Sequence, residues 1–439
     1  MANFAKPSAP RFNVEVYQNE YLPEGGRDVH AIVTVTSTGG ATATRTSVQG
    51  AAVVIMVDCS GSMEYPPDKM RGAREATAAA IDTLRDGTSF AVIAGTHVAK
   101  EVYPGQGRLA TADAATRAQA KEALRGLSSG GGTAIGTWLR LADGLLRQST
   151  ASIRHGILLT DGRNEHEDPE VLRATLDACA GRFTCDARGV GTDWEVREVT
   201  GIASALLGTA DIVADPAHLS EDFTHMMENV MGKEVADVAL RLWTPVGVEI
   251  QYVKQVAPTV QDLTDRRTEA GPRAGDYPTG SWGDESREYH VCVRVPGAAV
   301  GQEMLAARAT LIMPGAPGEA PTVLSQGLVR AVWTNDLAAS TAINAQVAHY
   351  TGQAELAQAI QQGLEARKLG DVGGATAKLG RAVQLASSSG NADTAKLLAK
   401  VVDVVDAAAG TVRLKAKVAD ADEMTLETRS TQTVRVKKA

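Results

Sequence analysis

Residues 51–70 read AAVVIMVDCSGSMEYPPDKM. Seven apolar residues, Ala51 to Val57, run straight into Asp58, Ser60 and Ser62, after which the chain turns polar and proline-rich. A strand that is apolar on both faces belongs inside a parallel sheet covered by helices on both sides. Its end, with oxygen-bearing side chains at alternate positions and Gly61 supplying backbone freedom, sets three hard donors on one tight loop. In open α/β sheets ligands sit outside the carboxyl ends of the strands, at a topological switch point.

The surrounding sequence supports such a sheet. Between 50 and 232, short apolar segments at 51–57, 89–95, 154–160, 182–191 and 209–215 predict strands. Between them, Met70, Ala73, Thr77, Ala80, Ile81 and Leu84 form one helical stripe, and helical patterns fit 113–127, 134–147, 169–180, 194–206 and 217–231. The expectation is a doubly wound, mostly parallel α/β domain.

On both sides the period falls to two. Phe12, Val14 and Val16, then Val29, Ala31, Val33 and Val35 after the turn Pro23-Glu24-Gly25-Gly26, suggest a hairpin or meander. The same alternation returns after Gly232, through Val238 to Leu242, Val248 to Tyr252, Tyr289 to Val295, Leu305 to Leu311 and Val329 to Trp333. We therefore expect one antiparallel β-sandwich built from 1–49 and 233–335, with the α/β domain of 50–232 inserted between. Residues 336–410 carry helical spacing and predict a helical hairpin or bundle; GGATAKLGRAVQLA resembles half of a tetratricopeptide unit, a single match where repeat folds need several. Residues 411–439 hold seven basic and four acidic residues and read as a basic tail or a final strand.

The composition excludes several classes. A formal charge of −8 disfavours a protein that binds nucleic acid by neutralising phosphates. The longest apolar run falls short of the ~18 residues of a membrane span, and the first residues lack a signal-peptide core. Cys59, Cys179, Cys185 and Cys292 are too few for a disulfide framework in 439 residues, which fits a reducing cytoplasm, although Cys179 and Cys185 sit close enough in sequence to pair on oxidation.

Three ligands do not complete an octahedron around a hard cation. Two further strand-end loops offer donors: SSGGGTAIG at 128–136 brings Thr133 behind three glycines, and LLTDGRN at 158–164 brings Asp161. The set Asp58, Ser60, Ser62, Thr133 and Asp161 resembles the metal-ion-dependent adhesion site of von Willebrand factor type A domains, in which DxSxS, T and D elements follow in this order. The resemblance covers about 50–232 and extends to GVGTDW at 189–194 and GTADIVADP at 208–216, which look like the last strands of such domains.

The resemblance implies that these five residues hold Mg²⁺, with Mn²⁺ or Ca²⁺ as alternatives, and that an Asp or Glu of a protein partner completes the shell. It implies a non-enzymatic scaffold or adaptor, similar to cytoplasmic actinobacterial proteins of this type that act in stress or Ser/Thr-phosphorylation signalling. Rival readings are a metal-dependent hydrolase and an accessory subunit of a separate AAA+ ATPase. A haloacid-dehalogenase-type hydrolase needs a second carboxylate two residues after its Asp, where this chain has Ser60. A serine hydrolase needs a GxSxG elbow, a Walker loop needs a Lys after its glycines, and GVGTDW lacks the third glycine of a dinucleotide fingerprint. We expect no catalytic residue and no organic cofactor; Cys59 reads as packing and His166 as an exposed loop residue. The oligomeric state is open.

Overall fold

The structure, a computed structural model, describes residues 11–38, 50–315 and 319–435. The chain divides into two compact units, Thr44–Ala236 and a second formed by Met1–Ala43 with Asp237–Ala439.

The first unit is an α/β sheet whose central strand is the opening stretch, Ala51–Asp58. It pairs in parallel with Ser89–Gly95 on one side and Ile153–Thr160 on the other. Thr184–Val190 and then Ala210–Val213 extend the parallel sheet beyond Ile153–Thr160. The far edge is antiparallel: Ala99–Tyr103 and Ala110–Thr111 both pair with Ser89–Gly95. These two short strands lie outside the five segments whose apolar runs predict strands. They are half-exposed at an edge, where no continuous apolar run is required.

The helices Asp68–Thr83, Ala114–Leu124 and Leu219–Met231 group together, as do Ile135–Leu146, Pro169–Cys179 and Val196–Ala205. Val53 to Val57 are completely buried; each such side chain removed from water contributes on the order of 1–3 kcal/mol. Because the chain leaves Ala51–Asp58 toward Ser89–Gly95 and later returns to the opposite neighbour, Ile153–Thr160, the sheet reverses direction beside Asp58. A crevice at that reversal follows from the topology.

The second unit holds two larger antiparallel sheets. One runs Arg11–Gln18, Asp28–Thr38, Glu285–Arg294, Glu249–Ala257 and Gln261–Asp262. The pairing of Asp28–Thr38 with Glu285–Arg294 joins the two flanks of the chain directly. The other sheet runs Thr268–Gly271, Ala274–Trp282, Val235–Trp243, Glu303–Met313, Thr322–Trp333 and Tyr21–Leu22, and the last pair is parallel. Arg11–Gln18 and Asp28–Thr38 pair as a hairpin would, while Tyr21–Leu22 between them joins the other sheet.

The C-terminal segment contains the helices Leu337–Thr341, Ala345–Lys368, Val372–Ser389 and Ala392–Val401. Residues 411–435, the described part of the segment 411–439 read from sequence as a basic tail or final strand, form a short strand and a helix. Thr411–Leu414 pairs with Val402–Asp406 in a two-stranded hairpin, and Asp420–Arg429 is a helix. Leu426 and Val412 are buried in one core with Leu356, Leu364 and Leu379. The basic residues mislead because three of the helix's acidic residues are spent on earlier helices: Glu423 accepts from Arg367, Asp422 from Lys400 and Glu427 from Lys368. All four cysteines are free and buried.

Candidate metal centre

The expected ligand set gathers at the carboxyl end of the sheet, Asp58 as the last residue of a strand and the others on the segments that follow strand ends. Asp58 closes the central strand and is fully buried; its Oδ1 accepts from the Ser60 N–H at 2.8 Å and its Oδ2 from the Thr160 hydroxyl at 2.7 Å. The Asp58–Ser60 bond turns the chain sharply, and Gly61–Glu64 continues as a single 3-10 turn that carries Ser62 back over the strand end. The Ser60 and Ser62 hydroxyls are 2.9 Å apart, and Ser62 Oγ donates to Asp161 Oδ1 at 2.7 Å.

The triple-glycine loop is tied to the first one by two backbone bonds. Gly61 N–H donates to Gly131 O at 2.9 Å, and Gly130 N–H to Cys59 O at 2.9 Å. Gly131 has φ +83°, and a side chain there would strike the His97 ring. Thr133 then enters the site beside Gly162. A Cβ placed on Gly162 would lie 3.1 Å from Ser62 Oγ, 3.3 Å from Thr133 Oγ1 and 3.9 Å from Ser60 Oγ. Hydroxyls from two loops thus face one small volume over the Asp161 turn.

A divalent cation fits this set. An octahedral Mg²⁺ with bonds near 2.1 Å requires neighbouring oxygens about 3.0 Å apart; the Ser60–Ser62 separation of 2.9 Å lies near that edge, and the Ser62–Asp161 hydrogen bond of 2.7 Å would open by about 0.3 Å to reach it. Only two of the five donors are carboxylates. Accordingly, no group of three His, Cys, Asp or Glu side chains suited to a metal occurs among the described residues. The site also has a direction: Asp58 and Asp161 are fully buried, Ser60 and Thr133 nearly so, while Ser62 is exposed.

Its electrostatics are unfavourable without a cation. Burial, and then the charge of Asp161, push the Asp58 carboxyl up to about 6, against the opposing hydrogen bonds from Ser60 and Thr160. Cys59 is buried in the core with Val57 and Met63. Burial, and then the Asp58 charge, drive its thiol up to about 12, which disfavours the thiolate a nucleophile would need. His166 is exposed, as the sequence suggested, but its Nδ1 lies 3.3 Å from the Thr133 amide.

Four residues around the site escaped the sequence reading. Thr160 holds Asp58 from the neighbouring strand. Asn164 and Glu167 cap the helix that follows Thr133, accepting from Ile135 N–H at 2.7 Å and Gly136 N–H at 2.8 Å, because Ala134 at the N-cap has no side-chain acceptor. Lys69 Nζ lies 2.8 Å from Asp161 Oδ2. Asn164 in LLTDGRN was open to a capping argument, but its target lies on another loop; Lys69 gave no signal in a helix-start context.

Two family models match the chain: the von Willebrand factor type A domain over residues 51–212 and the von Willebrand factor type A C-terminal domain over residues 384–430. A solved structure described as a von Willebrand factor type A from Catenulispora acidiphila is 51% identical, with 99% of each chain covered and a TM-score of 0.92. This chain belongs to the von Willebrand factor type A family. Proteins of this family generally mediate protein interactions rather than catalysis, and its domains often bind a divalent metal. The crystal structure of the ArnB paralog VWA2 from Sulfolobus acidocaldarius shares the fold at 15% identity, covering 96% of this chain and 98% of that one, with a TM-score of 0.56. An uncharacterized Synechocystis protein, sll0103, is 27% identical over 215 residues, 48% of this chain; the match spans about half of that relative, 49%. The C-terminal family match covers part of the segment read from sequence as a basic tail. No helix among the described residues is long and apolar enough to cross a membrane.

Proposed function

We propose that this von Willebrand factor type A protein is a Mg²⁺-dependent interaction scaffold acting in the cytoplasm. Asp58, Ser60, Ser62, Thr133 and Asp161 would hold the ion, and an Asp or Glu of a partner protein would complete its shell. The observation that carries the reading is the convergence of Ser60, Ser62, Thr133 and Asp161 oxygens on one volume beside Gly162, open at Ser62. When bound, the ion supplies an electrophilic coordination position. The chain's own part is to hold neutral hydroxyls at coordination spacing and to bury both carboxylates beneath them, so that few protein charges offset the cation. We also take 50–232 as an inserted domain and the C-terminal helices as a second docking surface.

The hydrolase alternative lacks a positioned acid/base. Ser60 stands where a second carboxylate would be required, and the nearby His166 is engaged with the Thr133 amide.

The test is divalent-dependent capture. The wild-type chain should retain a partner in Mg²⁺ and release it in EDTA, and Asp58→Ala with Ser60→Ala should retain nothing while keeping the wild-type circular dichroism spectrum. Capture that survives both EDTA and the double substitution rules out the metal bridge.

A further inference from the structure

Lys69 lies in the first turn of the helix Asp68–Thr83 and is 4% exposed. A lysine this buried is rare unless its charge is met. Its ammonium donates to Asp161 Oδ2 at 2.8 Å and to Asp193 Oδ2 at 3.0 Å. The ammonium is thus held between two carboxylates, one fully buried and one at the surface.

The motif GVGTDW at 189–194 forms the seat of this cation. Gly191 has φ +67°, and a Cβ there would lie 3.4 Å from Lys69 Cε, so the lysine stem runs along bare backbone. Gly191 is pinned by its N–H to Val213 O at 3.2 Å and by the Trp194 indole N–H to Gly191 O at 3.0 Å. Trp194 in turn packs where Gly189 has no side chain, since a Cβ there would come within 2.0 Å of the indole. Gly189, Gly191, Asp193 and Trp194 of the motif thus serve to place or meet the ammonium.

Asp161 is consequently divided. One oxygen accepts from Ser62 at the hydroxyl cluster, and the other is held by Lys69 on the side away from it. Asp58, Asp161 and Lys69 together leave the buried set with one negative charge; a divalent ion converts this to one positive charge. Without Lys69 the loaded site would be neutral. Asp193 is 68% exposed, and solvent screens most of its contribution.

We propose that Lys69 is a positioning residue that sets the charge of the metal centre. It holds Asp161 by one oxygen, weakens binding of the divalent ion, and leaves the bound ion with a surplus positive charge for an incoming carboxylate. The inference rests on the metal-site reading above.

The experiment is a Mn²⁺ titration of the full chain by electron paramagnetic resonance, followed by acetate titration of the Mn²⁺-loaded protein monitored by water-proton relaxation. Lys69→Gln and Lys69→Met should bind Mn²⁺ at least about tenfold tighter and acetate correspondingly weaker. Lys69→Arg should stay within about threefold of wild type on both counts. Gln keeps a donor for Asp161 if the Met variant does not fold. Asp193→Ala, at an exposed side chain, should shift both affinities by no more than about twofold in the opposite direction, because Lys69 then serves Asp161 alone. A purely structural lysine would leave acetate affinity unmoved. Unchanged or weaker Mn²⁺ binding in a folded Lys69→Gln, or a shift in Asp193→Ala in the same direction as in Lys69→Gln, overturns the proposal. A wild-type chain that binds no Mn²⁺ overturns the metal reading itself and is seen before any variant is made.

Discussion

Ser62 Oγ donates a 2.7 Å hydrogen bond to Asp161 Oδ1 across 99 residues of sequence. This bond closes the ring of donors: one partner belongs to the loop after the central strand, the other to the loop after its parallel neighbour. Its length is about 0.3 Å short of the edge between adjacent oxygens around a small cation, so the hydroxyl proton stands where a metal bond would otherwise bind both atoms together.

Asp58→Asn should separate stability from metal binding. In EDTA at neutral pH it relieves the repulsion with Asp161 and raises stability by about 1 kcal/mol, the gain being reduced because the amide has one acceptor fewer for Ser60 and Thr160. Mg²⁺ should raise the Tm of wild type but not of the variant. Thermal melts with and without Mg²⁺ check both statements.

The same carboxyl predicts a pH dependence. Its folded value, about 6, lies above the ordinary 3.8, so the folded state holds the proton more tightly than the unfolded one. Its contribution to stability is therefore greatest below about pH 4 and is lost as pH rises to about 6. In EDTA the α/β unit should lose up to roughly 3 kcal/mol across that window. Asp58→Asn should flatten this part of the curve, measured as chemical denaturation against pH.

The β-sheet unit should respond in the opposite sense. His290 Nε2 lies 3.3 Å from His30 Nδ1, and Tyr252 OH is 3.3 Å from both nitrogens; Lys254, Asp28 and Cys292 flank the group. Burial first, then the His30 and Lys254 charges, lower His290 to about 4. A depressed histidine gives stability that is full above about pH 6.5 and lost as pH falls toward 4. His290→Gln should move the acid-unfolding midpoint of this unit down by several tenths of a pH unit, read by tryptophan fluorescence.

Gly162→Ala tests the volume of the metal centre without altering its charge. The added methyl would sit 3.1 Å from Ser62 Oγ and 3.3 Å from Thr133 Oγ1, in the space those hydroxyls face. Calorimetric Mg²⁺ affinity should fall about tenfold or more while stability changes by roughly 1 kcal/mol. Unchanged affinity would place the ion elsewhere.

Asn164→Ala should loosen two loops together. It removes the acceptor for Ile135 N–H and the amide that donates to Glu167 at 3.3 Å. Loss of this cap should cost about 1 kcal/mol and should weaken Mg²⁺ binding, although Asn164 is not a proposed ligand. Parallel denaturation and calorimetry measure the two effects.

The α/β sheet and its central strand are legible in the amino-acid pattern alone. Continuous apolar runs such as 51–57 and 89–95 have no stable place except between two helical layers, and helical stripes such as Met70 to Leu84 supply those layers. The alternation of apolar residues likewise carried the antiparallel sheets, because a half-buried strand must repeat every second residue. The half-exposed edge strand Ala99–Tyr103 and the C-terminal helix Asp420–Arg429 left weaker patterns, one lying at a sheet edge and the other stabilised by ion pairs with distant helices. How charge and hydrogen bonds are shared around Asp58 and Asp161 follows only once the fold has assembled. Lys69, Thr160, Asn164 and Glu167 act through partners on other loops or strands, and no local periodicity records a bond between residues that meet only after the sheet has assembled.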